Sequence, residues 1–170
     1  MAQAVTKEQL IGLLNEDLKL EYAAALQYIQ HASVIVGAQY DYIRTHLLEH
    51  AKEEMEHATR IADRINYMGG TPGAEAAPAK LSADPRYMLA LDLGDERNAI
   101  ARYKERIAQA TALQEMGLVD VIQDILVDEE GHENDLLTSL GHGIVVAPAT
   151  QEQVAESYMK MAALEQKRKS

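Results

Sequence analysis

The chain has 170 residues, 47% of them hydrophobic, no cysteine, and a formal charge of −11. That length suits one domain with a real core, the missing thiols exclude disulfides, iron–sulfur clusters and cysteine zinc sites, and the acidic balance argues against nucleic acid as a partner and for a protein that attracts cations. No run approaches the roughly 18 uninterrupted apolar residues of a membrane span, and MAQAVTKEQL lacks a basic-then-apolar signal, so a cytoplasmic protein with no membrane partner is expected.

Phe and Trp are absent, and good helix formers dominate. Thr6 with Gln9 reads as a capping box that opens a first helix. Its apolar stripe (Leu10, Leu14, Asp17, Glu21, Ala24, Tyr28) steps by three and four, the helical period, and the helix is expected to run to about Val36, with Gly37 near its end. After a short turn the stripe Ile43, Leu47, His50, Glu54, His57, Ile61, Ile65, Met68 marks a second helix, ended by Gly69 and Gly70 with Thr71-Pro72 beyond. Residues 71–84 hold two of the four prolines and little periodicity, so they read as a crossover. Asp84-Pro85 then supplies an N-cap and a first-turn proline for a third helix, whose stripe is Leu89, Asp92, Glu96, Ala99, Tyr103, Ile107, Ala110. Gly117 is expected at a tight corner, after which Leu118, Ile122, Ile125, Glu129, His132, Leu136 and Leu140 line a fourth helix. Gly141, Gly143 and Pro148 break that pattern, and Thr150 with Gln153 caps a short fifth helix at about 150–166. Lys167, Arg168 and Lys169 read as a solvated tail. Two short turns and one long connection give an all-α, antiparallel four-helix bundle over about 6–140 with one long crossover.

Six residues repeat at a fixed register. Glu21 and Glu96 are 75 positions apart, and so are Glu54 and Glu129, and His57 and His132. All six fall on inward stripes, where uncompensated carboxylates and imidazoles would be prohibitive to bury. A Glu-x-x-His puts both side chains on one helical face, within reach of one ion. Glu21 and Glu96 read as terminal ligands and Glu54 and Glu129 as bridges, with His57 and His132 completing the set. Oxygen and imidazole donors without thiolate suit iron or manganese, with zinc also allowed.

Asp17 and Asp92 are also 75 apart, each one turn before the lone Glu. They are candidates to accept the distal ring N–H of the two histidines, with a polar pair at the core edge as the alternative. Tyr28 and Tyr103, again 75 apart, are candidates to hydrogen-bond a ligand carboxylate or to donate electrons, with plain packing as the alternative. Met55 lies off the Glu54–His57 face, as a packing residue at a subunit contact or a thioether for haem iron. His31, His46 and His142 show no partner pattern. His50 and Glu53 border the site and are candidates to guide iron, with surface or satisfied-core roles as the favoured alternative.

LNEDLKLEYAAALQYIQHA, EEMEHATRIADRI, LALDLGDERNAIARY and ILVDEEGHENDLL resemble the four bundle segments of the bacterioferritins, across roughly Leu10 to Leu140. All six repeated residues coincide with the ligand positions of that ferritin-like di-iron class. The resemblance implies a single ferritin-like domain that is a ferroxidase. Two iron ions per subunit would be oxidised by O2 or H2O2, and Fe(III) stored inside a hollow cage of up to 24 subunits built from homodimers. It also implies haem b between two subunits, held by Met55. The chain departs from the family after Leu140, at GHGIVVAPAT, and in its longer tail. Two other readings stand beside this one: a non-storing di-iron peroxidase or oxygenase of rubrerythrin-like type, fed electrons by a separate partner, and a structural or DNA-protecting shell, against which the acidic charge argues.

Overall fold

The computed structural model describes residues 5–141, and within them the architecture is four α-helices and one short 3-10 helix, Ala38–Tyr40, with no strand. The expected fifth helix, His142 and the basic tail lie outside the described residues. Helix α1 spans Lys7–Val34, α2 Asp41–Tyr67, α3 Pro85–Ala112 and α4 Met116–Leu140. Local chemistry sets their ends. Thr6 Oγ1 accepts from the Gln9 N–H while the Gln9 side chain accepts from the Thr6 N–H, the reciprocal box expected at this position. Asp84 Oδ1 accepts from the Tyr87 N–H, and Pro85 occupies the first turn of α3, where no N–H is needed.

Helix α2 ends in a Schellman motif. Gly70 N–H donates to the Ile65 carbonyl and Gly69 N–H to the Asn66 carbonyl, with Gly69 at φ +90°. Gly70 must also be small, since a Cβ there would lie 2.5 Å from Ile11 Cγ2. Helix α3 ends the same way without a glycine: Glu115 N–H donates to the Ala110 carbonyl, Gln114 N–H to the Thr111 carbonyl, and Gln114 takes φ +60°. The corner is therefore at Leu113–Glu115 and not at Gly117. Gly117 is helical, and it makes room for the Arg64 guanidinium, which would come within 3.1 Å of a Cβ there.

α1 packs along α2 and α3 along α4, and the α1/α3 and α2/α4 contacts close the bundle. Asp17 meets Arg106 while His31 meets Asp92, so α1 and α3 run antiparallel. Arg60–Asp124 and His50–Asp135 show the same for α2 and α4. The crossover travels along α1: Gly73 N–H donates to Asn15 Oδ1, Ala77 N–H to the Lys19 carbonyl and Lys80 N–H to Gln27 Oε1. That long return lets α3 begin at the end of the bundle where α1 finishes. The core divides into two apolar clusters. Leu10, Leu14, Ile61, Ile65, Leu118 and Ile122 belong to one, and Ile35, Ile43, Leu47, Leu89, Leu136 and Leu140 to the other. Between them, all four helices carry polar side chains. Among the described residues no helix is long and apolar enough to cross a membrane.

Candidate metal centre

The six repeated residues meet at this break in the core, and every one of them is buried. His57 Nδ1 lies 3.4 Å from Glu21 Oε2, 3.5 Å from Glu129 Oε1 and 3.8 Å from Glu54 Oε2. His132 Nδ1 lies 3.2 Å from Glu54 Oε1, 3.3 Å from Glu129 Oε2 and 3.7 Å from Glu96 Oε1. Two overlapping groups result, Glu21/Glu54/His57/Glu129 and Glu54/Glu96/Glu129/His132, each able to hold one metal ion. Glu54 and Glu129 belong to both and turn a different oxygen toward each. Seven buried atoms here have no hydrogen-bond partner: Glu21 Oε2, Glu54 Oε1, Glu96 Oε2, both Glu129 oxygens and the two histidine Nδ1 atoms. Orphaned buried polar atoms are individually costly. Donors converging at 3.2–3.8 Å, longer than a good hydrogen bond, match the spacing of atoms that share an ion.

Without an ion, protons carry the charge balance. Burial raises the Glu21 and Glu96 carboxyls well above the usual range, and repulsion from Glu54 and Glu129 adds to it. Burial alone would lower the His57 imidazole, but the carboxylates of Glu129, Glu21 and Glu54 win and hold it at about 12. His132 is likewise raised against its burial by Glu129, Glu54 and Glu96. Glu129 is held below the usual carboxylate range despite burial, by His132 and His57.

The tyrosines cross the bundle to the opposite half. Tyr28 Oη donates to Glu96 Oε1, and Tyr103 Oη donates to Glu21 Oε1. Each phenol is pushed well above its ordinary pKa, by burial first and then by the carboxylates, so each remains a donor.

Asp17 and Asp92 do not reach the histidines. Asp17 accepts from Arg106 Nε at 2.7 Å and Arg102 Nε at 3.1 Å. Asp92 faces His31 Nδ1 at 2.9 Å and accepts from Gln27 Nε2 at 2.8 Å. Both carboxylates project between α1 and α3, whereas the distal ring nitrogens point between α2 and α4. There Asp128 Oδ2 lies 3.3 Å from His57 Nε2, and Glu53 Oε2 lies 2.8 Å from His132 Nε2. Glu53 and Asp128 are themselves 75 apart, each directly before a bridging-type Glu, so the same register could have found them. Glu53, at full hydrogen-bond distance, orients the His132 ring as an outer carboxylate does for a metal-bound imidazole, and Asp128 faces the His57 ring more loosely from the equivalent position.

Two openings flank the centre. A cavity of about 520 Å³ between α1 and α3 is lined by Glu21, Glu54, Glu96 and Glu129 with Lys80 and Arg102. A smaller one of about 220 Å³ between α2 and α4 is lined by His46, His50, Glu53, Asp128, His132 and Asp135. His50 stacks on His132 at 4.0 Å, and burial, followed by its charged neighbour His132, lowers it to about 4. His31, without a pattern in the sequence, is the buried partner of Asp92. Met55 stands apart from the centre, 46% exposed, two turns from exposed Leu48 on one face of α2.

The family described as Ferritin-like domain matches residues 11–143. A bacterioferritin of Brucella melitensis is 31% identical over 133 residues, covering 78% of this chain and 83% of the relative. Among solved structures, the dodecameric thioferritin of Bacteroides fragilis, a bacterioferritin-related protein, superposes with TM-score 0.74 at 32% identity, covering 80% of this chain and 86% of that one. Rhodobacter capsulatus bacterioferritin, solved with a metal-free dinuclear site and a heme iron, gives TM-score 0.70 at 27% identity, with coverage of 81% and 86%. Four helices around paired carboxylate–histidine groups thus define a ferritin-like bundle protein. Within that class the chain belongs to the bacterioferritin and ferritin-like di-iron family.

Proposed function

We propose that the chain is one ferritin-like domain that oxidises Fe(II) as substrate at a di-iron centre and stores the product in a homo-oligomeric assembly. Glu21 and His57 hold one ion, Glu96 and His132 hold the other, and Glu54 and Glu129 bridge them. The observation that carries the reading is the double allegiance of Glu54 and Glu129, each with one oxygen toward His57 and the other toward His132. Each bound ion gives one electron, so a pair delivers two: O2 takes them with two protons to become H2O2, or H2O2 takes them with two protons to become two waters, and two Fe(III) leave the centre. This chain's own residues do the rest. Their carboxylates neutralise the incoming charge, and the protons on His57, His132, Glu21 and Glu96 depart as iron arrives. Tyr28 and Tyr103 fix the orientation of Glu96 and Glu21, and Glu53 fixes the His132 ring.

Iron storage with ferroxidase activity is the general property of the bacterioferritin relatives, and the acidic chain suits cation uptake. Glu54→Ala or Glu129→Ala abolishes rapid Fe(II) oxidation in stopped flow, and a normal rate in either variant removes the di-iron reading. Storage is tested separately by iron loading followed by size-exclusion chromatography. A large assembly that retains iron is expected. A dimer that never retains mineral shifts the function to a non-storing di-iron peroxidase or oxygenase. We propose further that Met55 of two subunits ligates haem b, because its thioether stands exposed beside Leu48 on the outer face of α2. Protein purified after haem supply then shows a b-type absorption spectrum that Met55→Ala loses.

A further inference from the structure

Among the described residues, one cluster outside the six-residue centre brings imidazoles and a carboxylate together independently of it. His46 and His50 lie four residues apart on one face of α2, and Asp135 of α4 comes up between them. Asp135 Oδ2 is 3.3 Å from His46 Nδ1 and 3.4 Å from His50 Nε2. Both distances are long for N–H···O bonds, whose common value is about 2.9 Å. They fit donors sharing one tetrahedral ion, since two atoms each about 2.0–2.1 Å from zinc stand about 3.3–3.4 Å apart. We propose that His46, His50 and Asp135 form a third divalent-metal site, for an ion of the Zn2+, Fe2+ or Co2+ type.

The site is built before any ion arrives. The His50 side chain is 3% exposed, and its Nδ1 has no partner. Its ring is locked against His132 at 4.0 Å and against the edge of Tyr28 at 5.3 Å. His46 rests on Tyr42 at 4.3 Å. His46 and Asp135 are about a quarter exposed and face the cavity between α2 and α4, so an ion can enter and keep water in its open position. Glu49 Oε2, 3.5 Å from His46 Nδ1, adds negative charge at the mouth. Two imidazoles with one carboxylate favour these ions over Mg2+ and Ca2+, which prefer all-oxygen sets. His50 could also pair with Glu53 and His132, but His132 belongs to the di-iron centre, so the set with His46 and Asp135 is the independent one. The 75-residue repeat does not extend to this site. Its counterparts are Val121, Ile125 and Arg60, and Arg60 is bound to Asp124. The site is therefore an addition to one end of the bundle and no part of the duplicated machinery.

The test counts Zn2+ bound per chain by equilibrium dialysis of metal-free protein. His46→Ala/Asp135→Asn is expected to bind one ion fewer than wild type, with unchanged helical circular dichroism. Glu54→Ala/Glu129→Ala is expected to lose the paired ions and keep this one. Asp135→Asn alone is expected to weaken the same ion at least about tenfold. Equal Zn2+ counts in wild type and His46→Ala/Asp135→Asn overturn the site, whatever the Glu54/Glu129 variant does. Loss of all Zn2+ from the Glu54/Glu129 variant overturns its independence. If only the di-iron reading fails, the wild type still binds the single ion that His46→Ala/Asp135→Asn removes.

Discussion

Replacing Glu21 and Glu96 together by Gln should stabilise the metal-free protein while destroying metal binding at the paired site. Both carboxyls are raised well above the usual range because burial and the facing Glu54 and Glu129 oppose their ionisation. A Gln amide keeps the shape and still offers an oxygen to Tyr103 or Tyr28. The magnitude follows from proton linkage. In the unfolded chain a Glu ionises near pH 4.3; in the folded chain these two remain protonated well above that. The native state then holds two more protons than the unfolded state, and each lowers wild-type stability by about 1.4 kcal/mol per pH unit. Below the unfolded pKa both states are protonated and the term vanishes. Above it the term grows until the pH passes the folded pKa, where it levels off. The variant lacks it at every pH. Its advantage should therefore be small at pH 4 and widen by up to about 2.7 kcal/mol per pH unit from pH 5 upward, a rise of several degrees in Tm for a chain of this size. Thermal melts in chelator across pH 4 to 7 measure it. Saturating Zn2+ should narrow the gap, because each ion held only by the folded wild type adds about 2.7 kcal/mol at a hundredfold excess over Kd. A Tm gap that stays flat with pH, or a variant less stable than wild type in chelator at pH 7, refutes the reasoning.

Zn2+ affinity at the paired site should climb steeply between pH 6 and 8, because His57, held at about 12, must release its proton to bind, as must His132. Calorimetry in buffers of different ionisation enthalpy should show net proton release; a pH-independent affinity would contradict the proton-balanced centre. Tyr28→Phe and Tyr103→Phe each remove a buried donor from a carboxylate, at about 1–3 kcal/mol, and should slow iron oxidation in stopped flow by releasing Glu96 or Glu21; unaltered rates in both would reduce the phenols to packing. Arg106→Ala leaves the fully buried Asp17 short of its nearest cation, so urea titration should show a loss of about 3–5 kcal/mol. Adding Asp17→Asn should recover part of that loss, and strict additivity would mean the pair is not coupled.

Where the sequence sufficed, a single helix carried the information. The Thr6–Gln9 box, the Asp84-Pro85 start and the inward stripes depend on neighbours within one or two turns, and the structure follows them. The six centre residues were legible because one offset places two hairpins in equivalent registers, and the bundle brings equivalent faces together. Partners across the bundle were not legible. The period of α1 put Asp17 on an inward face, but only the α1/α3 crossing decides that it meets Arg102 and Arg106 and leaves His57 to Asp128. The corner was misplaced for a different reason. Left-handed backbone is read from glycine, and here Gln114 adopts it because two hydrogen bonds of the α3 terminus hold it there, while Gly117 serves the Arg64 guanidinium.

The Asp17 and Asp92 pairings extend the repeat in a way that letter matching hides. Arg106 lies 75 positions after His31, and Arg102 lies 75 after Gln27. Asp17 with Arg102 and Arg106 is therefore the same structural unit as Asp92 with Gln27 and His31, seen from the other half of the pseudo-twofold. The contacts are kept while the side chains differ. The inner six residues allow no such freedom if two like ions are to be held, because each half then needs the same donor set. The outer carboxylates need only be satisfied, and guanidiniums, an amide or an imidazole can each do that. The exchange is not electrically neutral. Two permanent cations face Asp17, whereas Asp92 has one titratable imidazole and an amide that it shares with Asp95, itself bound to Lys80. The Glu21 half thus lies in the more positive surroundings and the Glu96 half in the more negative. Two positions built from identical donors sit in unequal fields, and a cation entering the centre meets the more favourable potential on the side of Glu96 and His132.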